Sequence, residues 1–471
     1  MTKQPASAAI VVVLVLIAAV LGADVHSNGQ AGTVLDPWDR LPGILAGIKA
    51  PVFPDRDFLV TEFGAMGDGT TDATEAFRAA ISACAGAGGG RVVVPAGEYL
   101  TGAIHLKSNV NLHVEEGATI LFSRDPAAYL PVVFTRWEGV ELMNYSPLVY
   151  AYGEKNIAVT GSGTLDGQAG PEHWWPWKGG GHPESQKPDR DRLFAQAEAG
   201  VPVAERVYGA GHYLRPSFLQ TYRCENVLIE GVTIKNSPMW VIHPVLSHNV
   251  IIRGVTVVSA GPNSDGCNPE SSTDVLIEDS LFDTGDDCIA IKSGRNADGR
   301  RLDAPSERIV VRGCRMRAGH GGVTIGSEIS GSARDIFVEH NEMSSPELDR
   351  GIRFKTNAVR GGVIENVFVR DVEIGEAGSA IDINMQYEEG ANGPFMPVVR
   401  NILVERLTVR QARYAFFIRG LEGAPVRGLV VRDSSFDAVT RGSVLEHVED
   451  LLLQNVVIQA SDGSSDPELT R

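Results

Sequence analysis

The segment Asn226-Val227-Leu228-Ile229-Glu230-Gly231-Val232-Thr233-Ile234 is one copy of a nine-residue pattern that recurs along the chain. Further copies start at Asn249, Asp274, Arg308, Asp335, Asn366, Asn401, Gly428 and Asp450, at steps of 23, 25, 34, 27, 31, 35, 27 and 22 residues. Within a copy, an alternating aliphatic run is followed by a break and a second short run. The β-branched content and the period of two select strands over helix pairs. A unit this small cannot bury its own apolar side, whereas stacked units share one continuous core. A β-propeller would need nearly equal blades of ~40 residues with four strands each; these steps are shorter and uneven. The expected fold is therefore all-β: a single-domain right-handed parallel β-helix, with corner loops of unequal length.

Working outward, shorter runs of the same kind occur at Val92–Val94, Val110–Val114 and Asn156–Val159. Ahead of them, Ala73–Ala87 is rich in Ala, with Phe77 and Ile81 four apart, and predicts a short N-terminal capping helix. Asp72 and Glu75 make a capping-box signature at its start, and Gly86 and Gly88–Gly90 end it. The β-helix domain is expected over 58–471, after a lead-in segment at 24–57. A polar insertion at about 168–217, carrying Trp174, Trp175 and Trp177, is expected to leave the solenoid on one face. Residues 1–23 read as a signal peptide: Lys3, then an apolar run from Ala8 to Ala23 that is short for a membrane span of ~20 residues. Secreted or periplasmic localisation is expected, with no membrane association after cleavage.

The net charge of −17 argues against nucleic acid as a partner, which would need a basic face. The five cysteines, an odd number with no C-x-x-C, predict neither a zinc site nor a disulfide framework, but buried thiols.

Four polar clusters lie on consecutive coils: Asn263-Ser264-Asp265, Gly285-Asp286-Asp287, Gly319-His320-Gly321 and Arg353-Phe354-Lys355. With ~4.8 Å per coil, clusters in phase share one face and span roughly 15 Å, a length for two or three sugar units. Inverting glycoside hydrolysis needs one protonated carboxyl and one carboxylate that activates water, ~6.5–9.5 Å apart. Crowded aspartates supply the acid, because like charges cannot all ionise. The cations would bind an anionic sugar. A single Gly-Asp-Asp is weak evidence, since Asn and Asp also support solenoid turns; four clusters in phase are harder to explain that way.

This order of motifs, with the flank Cys288–Gly294 and the Asp68-Gly69-Thr70 stretch, resembles glycoside hydrolase family 28, the polygalacturonases, closest to bacterial exo-acting members. The resemblance covers the chain from about Phe63 onward. It implies hydrolysis of α-1,4 galacturonosidic bonds with inversion, a galacturonate-containing polysaccharide or oligosaccharide as partner, and no cofactor or metal. By motif, Asp286 matches the general acid, and Asp265 and Asp287 the pair that holds the attacking water. His320 matches the histidine that tunes the acid, and Arg353 and Lys355 the substrate-carboxylate grip. Asn263 is grouped with the substrate-binding residues. The motifs depart slightly from the family, with Ser264 where Thr is commoner and Phe354 where Ile is commoner. Lys292 and Arg295 are expected to make the groove locally positive, Tyr387 to line it, and the Trp-rich insertion to close one end and impose exo attack. A monomer is expected. The alternatives are rhamnogalacturonan or xylogalacturonan hydrolysis, a pectate lyase, and a non-catalytic carbohydrate-binding β-helix.

Overall fold

The computed structural model describes residues 36–179 and 181–461. The stretch 1–23 read as a signal peptide lies outside them. Strands stack coil upon coil in parallel register, with one antiparallel strand pair among the described residues, Val133–Trp137 with Val140–Asn144. The fold is a parallel β-helix.

The nine-residue pattern maps onto the coil position by position. Its first residue is a corner: Asn226, Asn249, Asp274, Arg308, Asp335, Asn366, Asn401, Gly428 and Asp450 all have φ between 53° and 63°. Asn and Asp tolerate this left-handed conformation better than most residues. Its second residues pair in register through Val227, Val250, Val275, Ile309, Ile336, Val367, Ile402 and Leu429. All of these are buried in the central core. The third residues point outward, as strand alternation requires. They form an apolar stripe of Leu228, Ile251, Leu276, Val310, Phe337 and Phe368.

That stripe is covered by the lead-in segment, which holds a short helix, α1 (Leu41–Gly47). Trp38 packs edge-on against Phe337 and Phe368, and Arg370 lies 3.9 Å from its ring centre. Asn249 exchanges hydrogen bonds with the backbone of Lys49.

Helix α2 (Thr74–Gly86) caps the N-terminal end of the core. Asp72 accepts from the Thr74 amide at 2.9 Å, but Glu75 turns to Arg78, so only half of the expected capping box forms. The insertion contains α3 (Lys187–Glu198), and α4 (Asn296–Leu302) follows later. All five cysteines are free and buried. Among the described residues no helix is long and apolar enough to cross a membrane.

Candidate active site

The site lies where the chain passes from the second strand of each coil into the third. Asp265 and Asp287 precede consecutive third strands, and the Gly266 amide donates to the Asp287 carbonyl at 2.9 Å. Ser264 fixes the first of these turns by donating to the Gly261 carbonyl at 2.6 Å. Gly285 allows the second: a Cβ there would meet the Gly261 oxygen at 2.3 Å. Arg353 and Lys355 are alternate residues of Arg350–Lys355, both facing the site, while Phe354 between them enters the core.

The four clusters converge more than their coil spacing suggests. Carboxylate oxygens of Asp265, Asp286 and Asp287 lie within 4.8 Å of one another. Arg353 Nη1 and Lys355 Nζ reach back to Asp287 at 2.9 and 2.6 Å, and Thr324 donates to it at 2.9 Å. Long side chains spanning coils thus gather a row expected to extend ~15 Å into a single focus. The cavity in front of it holds about 230 Å³. Pockets for drug-sized ligands start near ~300 Å³, so this one suits a single sugar unit better than the two or three first expected.

The three aspartates have different electrostatic surroundings. Burial pushes the carboxyl of Asp265 up, the charge of Asp286 adds to this, and it reaches about 7 from an ordinary 3.8, despite Lys292 Nζ at 3.5 Å. Asp287 is fully buried, but Lys355 and Arg353 outweigh that and hold it well below the usual carboxylate range. Asp286 is the most open of the three, its side chain 16% exposed. Burial raises it, yet the hydrogen bond from His320 Nδ1 at 2.9 Å and the nearby Lys355 leave it lowered. His320 is raised in turn by the same bond. The His320 amide also donates to the Asp286 carbonyl. Like charges this close cannot all ionise at once, and the proton the trio retains rests on Asp265, which is buried without the two close cation contacts that keep Asp287 ionised.

The remaining expected residues also line the cavity, though not all as free groups. Asn263 Oδ1 accepts from Arg215 at 2.7 Å. Lys292 and Arg295 are not free positive charges: both pair with Glu328, at 3.0 and 3.3 Å. Tyr387 presents its ring 5.8 Å from the Arg353 guanidinium and 5.5 Å from Lys355. Trp174 and Trp177 of the insertion are buried against Tyr129 and Tyr213. Lys178 and Arg190 are the insertion residues that reach the cavity. Sequence reasoning missed Glu328, Glu138 and Trp240, which line the cavity, and Arg215 behind Asn263.

The chain is similar to known proteins. A crystal structure of a hyperthermoactive exopolygalacturonase from Thermotoga maritima is 48% identical, covers 89% of this chain and 96% of its own, and superposes with a TM-score of 0.86. The chain belongs to glycoside hydrolase family 28. The profile of glycosyl hydrolases family 28 matches residues 210–413, and that of rhamnogalacturonase A/epimerase, pectate lyase-like, matches residues 58–115. An exo-poly-alpha-D-galacturonosidase of Dickeya chrysanthemi is 31% identical over 70% of this chain and 57% of its own length. A protein of Vitis vinifera described as a probable polygalacturonase is 29% identical over 79% of this chain and 72% of its own. The family-matched segment contains all four clusters. This family 28 chain is a polygalacturonase-type glycoside hydrolase.

Proposed function

We propose that the enzyme is an exo-acting polygalacturonase that removes galacturonate from chain ends with inversion. The observation carrying the proposal is the joining of three aspartates at one focus to a small cavity bounded by the insertion. Asp286, the carboxyl open to the cavity, delivers to the oxygen that leaves the anomeric carbon the one proton the trio retains; that proton rests on Asp265 in the free enzyme and passes to Asp286 within the cluster, leaving Asp265 ionised. It is the most exposed of the trio, and its partner His320 adjusts its proton affinity. Asp265 and Asp287 orient the water that attacks the same carbon from the other side. One proton of that water passes to the carboxylates as the glycosidic bond breaks. Arg353 and Lys355 hold a substrate carboxylate beside Asp287. The likeness to the exo-acting proteins of Thermotoga maritima and Dickeya chrysanthemi supports exo attack.

Two features count for water as the nucleophile. Both oxygens of Asp287 are occupied by Arg353, Thr324 and Lys355. Asp265 is buried and retains its proton to about 7, which makes it a poor nucleophile.

A polymeric substrate would be met outside the cytoplasm, which agrees with export directed by residues 1–23. Digestion of polygalacturonate tests the exo assignment: galacturonic acid alone among early products supports it, and a ladder of oligomers contradicts it. Proton NMR of the first-formed anomer decides the stereochemistry, with the β-anomer expected. Rhamnogalacturonan, offered in parallel, is expected to release nothing.

A further inference from the structure

Two cations at the cavity have hydrogen-bonding capacity not used up within the protein, Lys178 from the insertion and Arg295 from a later coil, whereas the insertion's Arg190 pairs with Glu138 at 2.8 Å. Lys178 closes the turn Trp175–Lys178, is exposed, and lines the cavity. It has no ion pair or hydrogen bond among the described residues. Opposite chain segments contribute Arg295, only 5% exposed. Its Nη1 donates to Glu328 at 3.3 Å, and Nη2 stands 3.8 Å from both Glu388 and Glu389. Its Nε is buried with no partner. Phe194 of α3 fixes this arrangement: the guanidinium groups of Arg295 and Arg190 lie 4.1 and 4.6 Å from its ring centre.

These groups differ from the cations at the catalytic focus. Arg353 and Lys355 pair with Asp287, and Lys292 with Glu328 and Asp265, so a substrate carboxylate that meets them shares them with these partners. The Asp265–Lys292–Glu328–Arg295 relay places Arg295 a short step beyond the catalytic carboxylates, on the side bounded by α3. Burial and the charge of Arg360 both work against the charge on Arg295. An arriving anion would relieve that cost. A carboxylate only accepts hydrogen bonds, and an ammonium and a guanidinium only donate them.

We infer that Lys178 and Arg295 recognise the carboxylate of the uronate seated against this wall, so that the single unit the enzyme cuts off must be a charged one. The inference deepens the proposed exo activity and rests on it.

The test uses two trisaccharides: trigalacturonate, and the same compound with the carboxyl of its non-reducing unit methyl-esterified. Lys178→Met alters an exposed position and preserves the fold; Arg295→Gln is the buried counterpart. Losing a charged hydrogen bond predicts a KM increase of about 10- to 100-fold on trigalacturonate with kcat nearly unchanged. On the esterified trisaccharide the wild type already shows the high KM, and neither substitution raises it by more than about threefold. An unchanged KM for Lys178→Met on trigalacturonate, or equal losses on both substrates, would overturn the inference. A wild-type enzyme that releases a ladder, or nothing, from polygalacturonate would instead sink the exo reading beneath it.

Discussion

Two polar stacks run along this solenoid, built from the same residue types at the same coil-by-coil spacing. At the corner that opens each repeat, Asn156 donates to Asn109, Asn226 to Asn156, and Asn249 to Asn226, at 3.0, 2.8 and 2.7 Å. Arg308 clasps Asp274 through two bonds of 2.7 and 2.9 Å. Each group is satisfied by its neighbour one coil away, and water screens much of the charge. At the catalytic corner, Arg353 and Lys355 meet Asp287 at similar distances, but the aspartate is fully buried and two further carboxylates stand beside it. Residue type and spacing are thus shared by a structural ladder and a reaction centre. Burial and the crowding of like charges separate them, because desolvation turns ordinary carboxylates into groups with divergent proton affinities.

Substituting equivalent residues in the two stacks gives the largest contrast. Asp286→Asn should lower kcat by about 10²–10⁴-fold, the usual worth of a general acid, with KM little changed. Asp274→Asn should leave both within about twofold, because it touches no part of the cavity. Steady-state kinetics on polygalacturonate measures both, and comparable losses would erase the distinction.

Stability gives the next contrast. Lys355→Met strands a buried Asp287 with one cation fewer, and should cost about 3 kcal/mol in denaturant unfolding. Arg308→Met breaks an ion pair whose arginine is 35% exposed, and should cost about 1 kcal/mol or less.

A stability effect of the opposite sign is expected at Asp265. The carboxyl of Asp265 titrates near 7 in the folded chain, against 3.8 ordinarily. A carboxyl raised on folding favours the native state at low pH and loses that contribution as pH climbs through the folded value. Between those two pH values stability falls by up to about 1.4 kcal/mol per unit. Asp265→Asn removes this loss. The variant should be inactive yet melt above the wild type at pH 8, with little difference at pH 4. A variant melting below the wild type at pH 8 would mean that Lys292 stabilises an ionised Asp265.

The ladder was more legible in the sequence than the site. The first, second and third residues of the nine-residue pattern each map to one environment: corner, core and outer stripe. Alternation and turn chemistry are local rules, so a sequence carries them openly. The catalytic aspartates were found through short motifs, but their convergence was not, because it depends on side chains that cross between coils. Glu328 carries no motif of its own. It lies two residues past the end of its strand, whereas Lys292 directly follows its own, so the repeat phase does not align the two and only the reach of their side chains pairs them. Trp174 and Trp177 could not be placed, since a tryptophan in a polar insertion reads the same whether it lines a cleft or anchors the insertion. Here Tyr129 and Tyr213 decide for anchoring.

The central claim is that the three crowded aspartates retain one proton while at least one of them is ionised. The pH dependence of kcat/KM on trigalacturonate tests it most directly. An acid-shifted bell is expected, rising as the first carboxylate ionises and falling near pH 7 as the last proton leaves the trio. A profile that stays flat from about pH 4 to 8 would contradict it.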